Sequence, residues 1–135
     1  MRIVIVDNDV PFLRSLEIVL SARGHQVTCY DDPVVAEVAL SNRHPPELLL
    51  HHYRMPRLSG IDLIRAVQPR LGAGCTVAMI TGHAEELLAV DLAALGVARV
   101  LCKPVDLPGL QAWIEAGVRG LREEEAVTGR RKRDL

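Results

Sequence analysis

Three short runs in this chain, Ile3-Val4-Ile5-Val6, Leu48-Leu49-Leu50 and Val77-Ala78-Met79-Ile80, are apolar without alternation. A strand with one wet face alternates apolar and polar residues, so unbroken runs predict strands covered on both faces. The cover is also visible in the sequence. Phe12, Leu13, Leu16, Val19 and Leu20 fall at helical spacing after the first run. Ile61, Ile64, Val67 and Leu71 do so after the second, and Leu110, Ile114, Val118 and Leu121 near the end. Strands and helices that alternate along one chain imply parallel strands joined by right-handed crossovers, hence a three-layer α/β sandwich.

Cap signals set the boundaries. Asp9 is placed to N-cap the first helix, with Pro11 in its first turn and Gly24 closing it. Val27 to Tyr30 is more polar than the other strands and suits an edge. Asp32-Pro33 opens a second helix that runs to about Leu40, and His44-Pro45-Pro46 is a stiff link into a third strand, Leu48 to His52. A third helix spans about Ile61 to Leu71. A fourth is expected over Glu85 to Leu95, acidic at its start as the helix dipole prefers, with Gly96 ending it. Val100-Leu101 reads as a short fifth strand, and a last helix begins at Asp106 or Leu107 with Pro108 early. One domain is expected over residues 1–122, followed by a charged, flexible tail over 123–135.

Composition narrows the function. The 135 residues can bury one sizeable core. A net charge of −1 gives no general attraction to nucleic acid or membrane. Cys29, Cys75 and Cys102 are three thiols without metal spacing, which fits a reducing compartment. No apolar run approaches the ~20 residues of a membrane span, and no signal-peptide pattern follows Met1, so a cytoplasmic protein is expected. No P-loop, nucleophile elbow or acid–base pair is present, and the chain is not expected to be an enzyme.

Four strands end on polar residues: Asp7-Asn8-Asp9, His51-His52, Thr81 and Lys103. Parallel strands bring these ends to one rim, where ligands bind in open α/β sheets. With Val6-Asp7, Arg54-Met55-Pro56 before Ser59-Gly60, Thr81-Gly82-His83-Ala84 and Lys103-Pro104 in this order, the chain resembles the receiver domain of bacterial response regulators over about residues 2–121. The resemblance implies a doubly wound (βα)5 flavodoxin-like fold with a five-stranded parallel sheet in order 2-1-3-4-5. It also implies a site in which an acidic pair and an aspartate hold Mg2+, the aspartate accepts a phosphoryl group from phosphohistidine, and a hydroxyl and a lysine bind the phosphoryl oxygens. By that correspondence Asp7 matches the first acid, Thr81 the hydroxyl and Lys103 the lysine, and the Lys103–Pro104 peptide is a candidate cis bond.

Three positions depart from the family pattern. His52 aligns with the phosphoacceptor aspartate, Asn8 with the second acid, and Val100 with the aromatic switch residue. Mg2+ favours hard carboxylate oxygens, so Mg2+ binding is expected to be weak or absent and no cofactor is expected. The resulting expectation is a receiver module in two-component or phosphorelay signalling that acts by protein–protein contact, without aspartyl phosphorylation. Two alternatives stay open: phosphorelay membership through a non-standard acceptor, and a small-ligand or metal sensor built on the altered pocket.

His52 itself has three open roles: a hydrogen-bonded structural residue, a charge-controlled contact and a phosphorylated side chain. Asp7, His52 and His83 are the weak candidates for a transition-metal site. His51 and His52 should not chelate together, because neighbouring strand residues point to opposite faces. Lys103 is read as a partner for Asp7, and Thr81 as a possible cap for the segment that follows it. The expected partner is a signalling protein: a histidine kinase, an output protein or another regulator. The resemblance also points to a homodimer or partner surface on the helix 4–strand 5–helix 5 face, which carries Ala89, Ala93, Val100 and Trp113, with Trp113 either a semi-exposed edge residue or an interface anchor. Arg130-Arg131-Lys132-Arg133 lacks interleaved aromatics, so a nucleic-acid partner is not expected.

Overall fold

Five strands, β1 (Arg2–Val6), β2 (Gln26–Tyr30), β3 (Leu48–His52), β4 (Thr76–Thr81) and β5 (Val97–Cys102), form one parallel sheet in the order β2-β1-β3-β4-β5. Four α-helices flank them: α1 (Val10–Ala22), α2 (Pro33–Asn42), α3 (Gly60–Leu71) and α4 (Leu107–Glu115). This computed structural model describes residues 1–118. The expected inward Leu121, the basic run Arg130 to Arg133 and the boundary between residues 122 and 123 lie outside the described residues.

The unbroken apolar strands are covered on both sides. Leu48, Leu49 and Leu50 are all fully buried, yet they serve different cores. Leu48 and Leu50 join Ile3, Ile5 and Ile80 beneath Leu13, Leu16 and Leu20 of α1 and Leu110 and Ile114 of α4. Leu49 joins Val6, Val77 and Met79 beneath Ala36 and Leu40 of α2 and Leu63, Ile64 and Val67 of α3. This is the period-2 rule of a strand acting inside a three-layer sandwich. β2, the more polar strand, lies at an edge.

Four aspartate or serine caps start the helices. Asp9 accepts from Phe12 N, Asp32 from Val34 N, Ser59 from Asp62 N and Asp106 from Gly109 N. Gly24, just past α1, takes φ +89°, the left-handed geometry a side chain resists.

Two elements differ from expectation. The fourth helix over Glu85 to Leu95 is not an α-helix: a 3-10 helix covers Ala84–Leu87, and turns lead from it to β5. Backbone bonds there run mostly three residues back, as in Leu88 N to Glu85 O, Val90 N to Leu87 O and Gly96 N to Ala93 O. Asp91 supplies the physical reason. Its Oδ1 accepts from Ala94 N at 3.1 Å, a local cap that competes with helix continuation. The fifth strand is longer than Val100-Leu101, because Val97, Arg99 and Cys102 also pair with β4, with a register shift at Ala98 between the Val77 and Ala78 pairs.

Smaller differences concern single side chains. Ile61 is half-buried, while Leu63 and Gly60 face inward on α3. Val118 is buried but follows α4 rather than lying within it. Trp113 is not semi-exposed: it is fully buried in the α1–α4 core, with the Arg99 guanidinium 4.8 Å from its ring centroid. It therefore cannot anchor an interface in this conformation. Ala89 and Ala93 are exposed and Val100 is half-buried. Among the described residues, no helix is long and apolar enough to cross a membrane.

Candidate functional site: the carboxyl rim of the sheet

The register of the sheet assembles the site. Val6 pairs with His51 and Ile80 with His52, so Asp7 emerges beside His52 at the carboxyl ends of β1 and β3. Thr81 pairs with Cys102, and Lys103 N donates to Thr81 O at 2.8 Å, which brings Lys103 to the same rim. The Lys103–Pro104 peptide is cis, as the family pattern implies.

Asp7 is the buried centre of the cluster, with no exposed surface. Its Oδ1 accepts from Asp9 N at 2.8 Å, and its Oδ2 faces Lys103 Nζ at 3.1 Å. That second contact is an ion pair without an aligned hydrogen bond. A buried carboxylate needs such a partner, since desolvation of an isolated charge is costly. Lys103 Nζ also lies 3.4 Å from Asp9 Oδ2 and 4.3 Å over the Phe12 ring centroid. Two carboxylates and an aromatic face thus share one ammonium.

His52 closes the pocket from β3, with 15 % of its side chain exposed. Its Nδ1 lies 3.3 Å from Asn8 Oδ1 and 3.7 Å from Asp7 Oδ1. Burial pulls its pKa below the ordinary 6.5, Lys103 pulls the same way, and Asp7 opposes them. The neutral ring is therefore favoured at pH 7, and in its Nδ1–H tautomer it can donate to Asn8 Oδ1. Asp7, Asn8, His52 and Lys103 are brought together. Thr81, 2 % exposed, stands at the rim, but its Oγ1 accepts from His83 N at 3.0 Å and closes the turn into Ala84. His83 is exposed and its Nδ1 lies 3.5 Å from Glu85 Oε1. Among the described residues, no group of three His, Cys, Asp or Glu side chains is arranged to hold a metal ion.

Three contacts of the site are visible only in three dimensions. Asp9 is a helix cap and a second Lys103 partner at once. Phe12, which the helical spacing marks only as an apolar residue, is the platform under the lysine. Arg54, two residues past β3, binds Glu86 through two nitrogens and ties the pocket rim to the 3-10 turn. Arg57 similarly binds Asp32 at the start of α2.

Comparison with known proteins agrees with this architecture. Residues 3–115 match the family model described as the response regulator receiver domain. The chain is 31 % identical over 122 residues to the transcriptional regulatory protein FixJ of Bradyrhizobium diazoefficiens, covering 87 % of this chain and 57 % of FixJ. Among solved structures, it is similar to a response regulator receiver protein from Pseudomonas putida, with 29 % identity, a TM-score of 0.75, and 85 % and 95 % of the two chains covered. A CheY-like receiver domain protein from Methanospirillum hungatei is similar at 26 % identity and a TM-score of 0.77, over 92 % and 97 % of the chains. The chain thus spans a little over half the length of the curated relative it matches.

Proposed function

Because this chain belongs to the response regulator receiver domain family, a family of signalling modules and not enzymes, we propose that it works in two-component signalling as an atypical receiver, through protein–protein contact and without aspartyl phosphorylation. One observation carries this reading: an imidazole, not a carboxylate, faces Asp7, Asn8 and Lys103 at the end of β3. An acyl phosphate requires a carboxylate oxygen as nucleophile, and His52 has none.

The donor set also fits Mg2+ poorly. That ion favours near-octahedral oxygen coordination through carboxylates and retained waters. Asp7 has one oxygen committed to Asp9 N and the other to Lys103, Asn8 Oδ1 faces His52, and the imidazole is a softer nitrogen donor. In this reading the Asp7–Lys103 pair and the His52–Asn8 bond hold the rim in one conformation, and a histidine kinase, an output protein or another regulator recognises it. The exposed Ala89 and Ala93, with the half-buried Val100, offer a small-residue surface for such a partner or for a second copy of the chain.

The test is direct. The protein is incubated with acetyl phosphate and Mg2+ and weighed intact. The expected spectrum shows the unmodified mass alone, and His52→Asp gains an adduct of one phosphoryl group. A stoichiometric adduct on the unaltered chain would overturn the reading.

A further inference from the structure

A second concave site lies on the outer edge of the sheet, along β2 and beside α2. Val27 and Cys29 face α1 and pack on the core, so Gln26, Thr28 and Tyr30 must face the α2 side. An edge strand buried under a helix would carry apolar residues there. Instead it offers an amide and two hydroxyls, with Gln26 and Thr28 exposed and Tyr30 half-buried, and the small Ala39 of α2 leaves room beside them. The result is a cleft of about 370 Å3 lined by these side chains together with Val4, Leu40, Arg43 and His44. Small-molecule sites occupy roughly 300–1,000 Å3 and combine apolar walls with a few polar groups.

The cleft's electrostatics are one-sided. Arg2, Arg43 and His44 line it, and no Asp or Glu does. Arg2 is already engaged: it donates to Pro45 O at 3.2 Å and lies 3.9 Å from Glu47 Oε1. Among the described residues, Arg43 has no acidic or carbonyl partner. Two carbonyls near the end of α2 have side-chain donors of their own, since Asn42 Nδ2 donates to Val38 O at 2.8 Å and Arg70 to Ser41 O at 3.0 Å. Nor do Gln26, Thr28 or Tyr30 make side-chain hydrogen bonds among the described residues.

We infer that this cleft binds a small organic anion with an apolar body, of the medium-chain or aromatic carboxylate class. The carboxylate meets the Arg43 guanidinium, the planar fork that suits it. The apolar body lies on Val4, Ala39 and Leu40, within reach of the Thr28 and Tyr30 hydroxyls. The site is separate from the carboxyl rim and does not depend on whether the rim is phosphorylated.

Octanoate is a suitable probe and octan-1-ol its neutral control, each titrated into the isotope-labelled full chain and followed by backbone amide shifts. Octanoate should shift residues 26–30 and 39–44 saturably, and octan-1-ol should bind about tenfold more weakly. Arg43→Glu should weaken octanoate at least about tenfold, and Ala39→Leu, which fills the cleft, should abolish it. Arg43 is exposed at the end of α2, so its replacement keeps the fold and decides the matter even if Ala39→Leu does not fold. Absence of saturation, octanol binding equal to octanoate, or unchanged affinity in Arg43→Glu would each overturn the inference.

Discussion

His51 and His52 are neighbours in sequence with opposite surroundings. His52 looks into the pocket, whereas His51 is fully buried on the other side of β3. Among the described residues, neither ring nitrogen of His51 has a hydrogen-bond partner. Burial is the main cause that lowers its pKa from 6.5 to about 4, and the charge of His52 acts in the same direction. Between these values the unfolded chain holds a proton that the folded chain does not. His51 therefore contributes stability in full above about pH 6.5 and loses it as pH falls towards 4, a total of about 3 kcal/mol. Urea unfolding at pH 7 and pH 4.5 should show this loss, and His51→Leu should flatten it. His25 and His52 are also lowered and titrate in both proteins, so the slope difference isolates His51. Equal slopes in the two proteins would contradict the account. Lys103 gives a second residue-scale prediction. Replacing it with Met keeps the apolar stem over Phe12 but leaves buried Asp7 without its cation, which should cost about 2 kcal/mol after allowance for the partial exposure of the lysine. The drop in urea midpoint measures it, and Lys103→Arg should recover most of the loss.

Elements were legible where local chemistry and tertiary packing agree. Asp9, Asp32 and Asp106 mark helix starts in the sequence, and each side chain accepts the expected backbone N–H. The segment after β4 was not legible, because two signals compete within it. Ala84 to Leu95 is rich in Ala, Leu and Glu, all good helix formers. Asp91 sits in its middle and caps Ala94 N, which splits one helix into shorter turns. Asp91→Ala should therefore raise the helical content of this segment, read as a deeper far-UV signal at 222 nm and as helical carbon shifts over residues 85–95. No change in either would mean that Asp91 is not what divides it. The junction of β3 and α3 depends on a different local rule. A Cβ at Gly60 would lie 2.4 Å from His52 O and 2.8 Å from His51 Nδ1, and backbone atoms cannot give way as a flexible side chain can. Gly60→Ala should cost at least about 2 kcal/mol and disturb the His52 ring, because the start of α3 would have to back away from β3. Amide shifts at Tyr53 and Asn8 report the second effect.

At the scale of the molecule, the parallel sheet made the rim predictable. Once every strand points the same way, residues far apart in sequence, Asp7, His52, Thr81 and Lys103, must end on one edge. What sequence could not supply was which of them touch. Thr81 turned to His83 N, Phe12 slid under Lys103, and Trp113 went inside, all decided by packing of neighbouring elements. The charge of the rim is also a property of the whole arrangement. Asp7 and Asp9 share Lys103 while Asn8 and a neutral His52 add no negative charge, and on the proposed reading the rim is too weakly charged to draw a divalent ion out of water. Restoring carboxylates at both positions, Asn8→Asp with His52→Asp, tests that balance through stability alone. Taking a dissociation constant of about 1 mM for the double variant, 10 mM Mg2+ should stabilise it by about 1.4 kcal/mol, or roughly 4 °C in Tm. The unaltered chain should move by less than about 1 °C under the same conditions, and both proteins should be indifferent to an equal ionic strength of NaCl. Without Mg2+, the double variant should melt below the parent, since it crowds four carboxylates around one lysine. A parent chain that gained as much Tm from Mg2+ as the double variant would show that Asp7 and Asp9 suffice to hold the ion, and that Asn8 and His52 do not disable the rim.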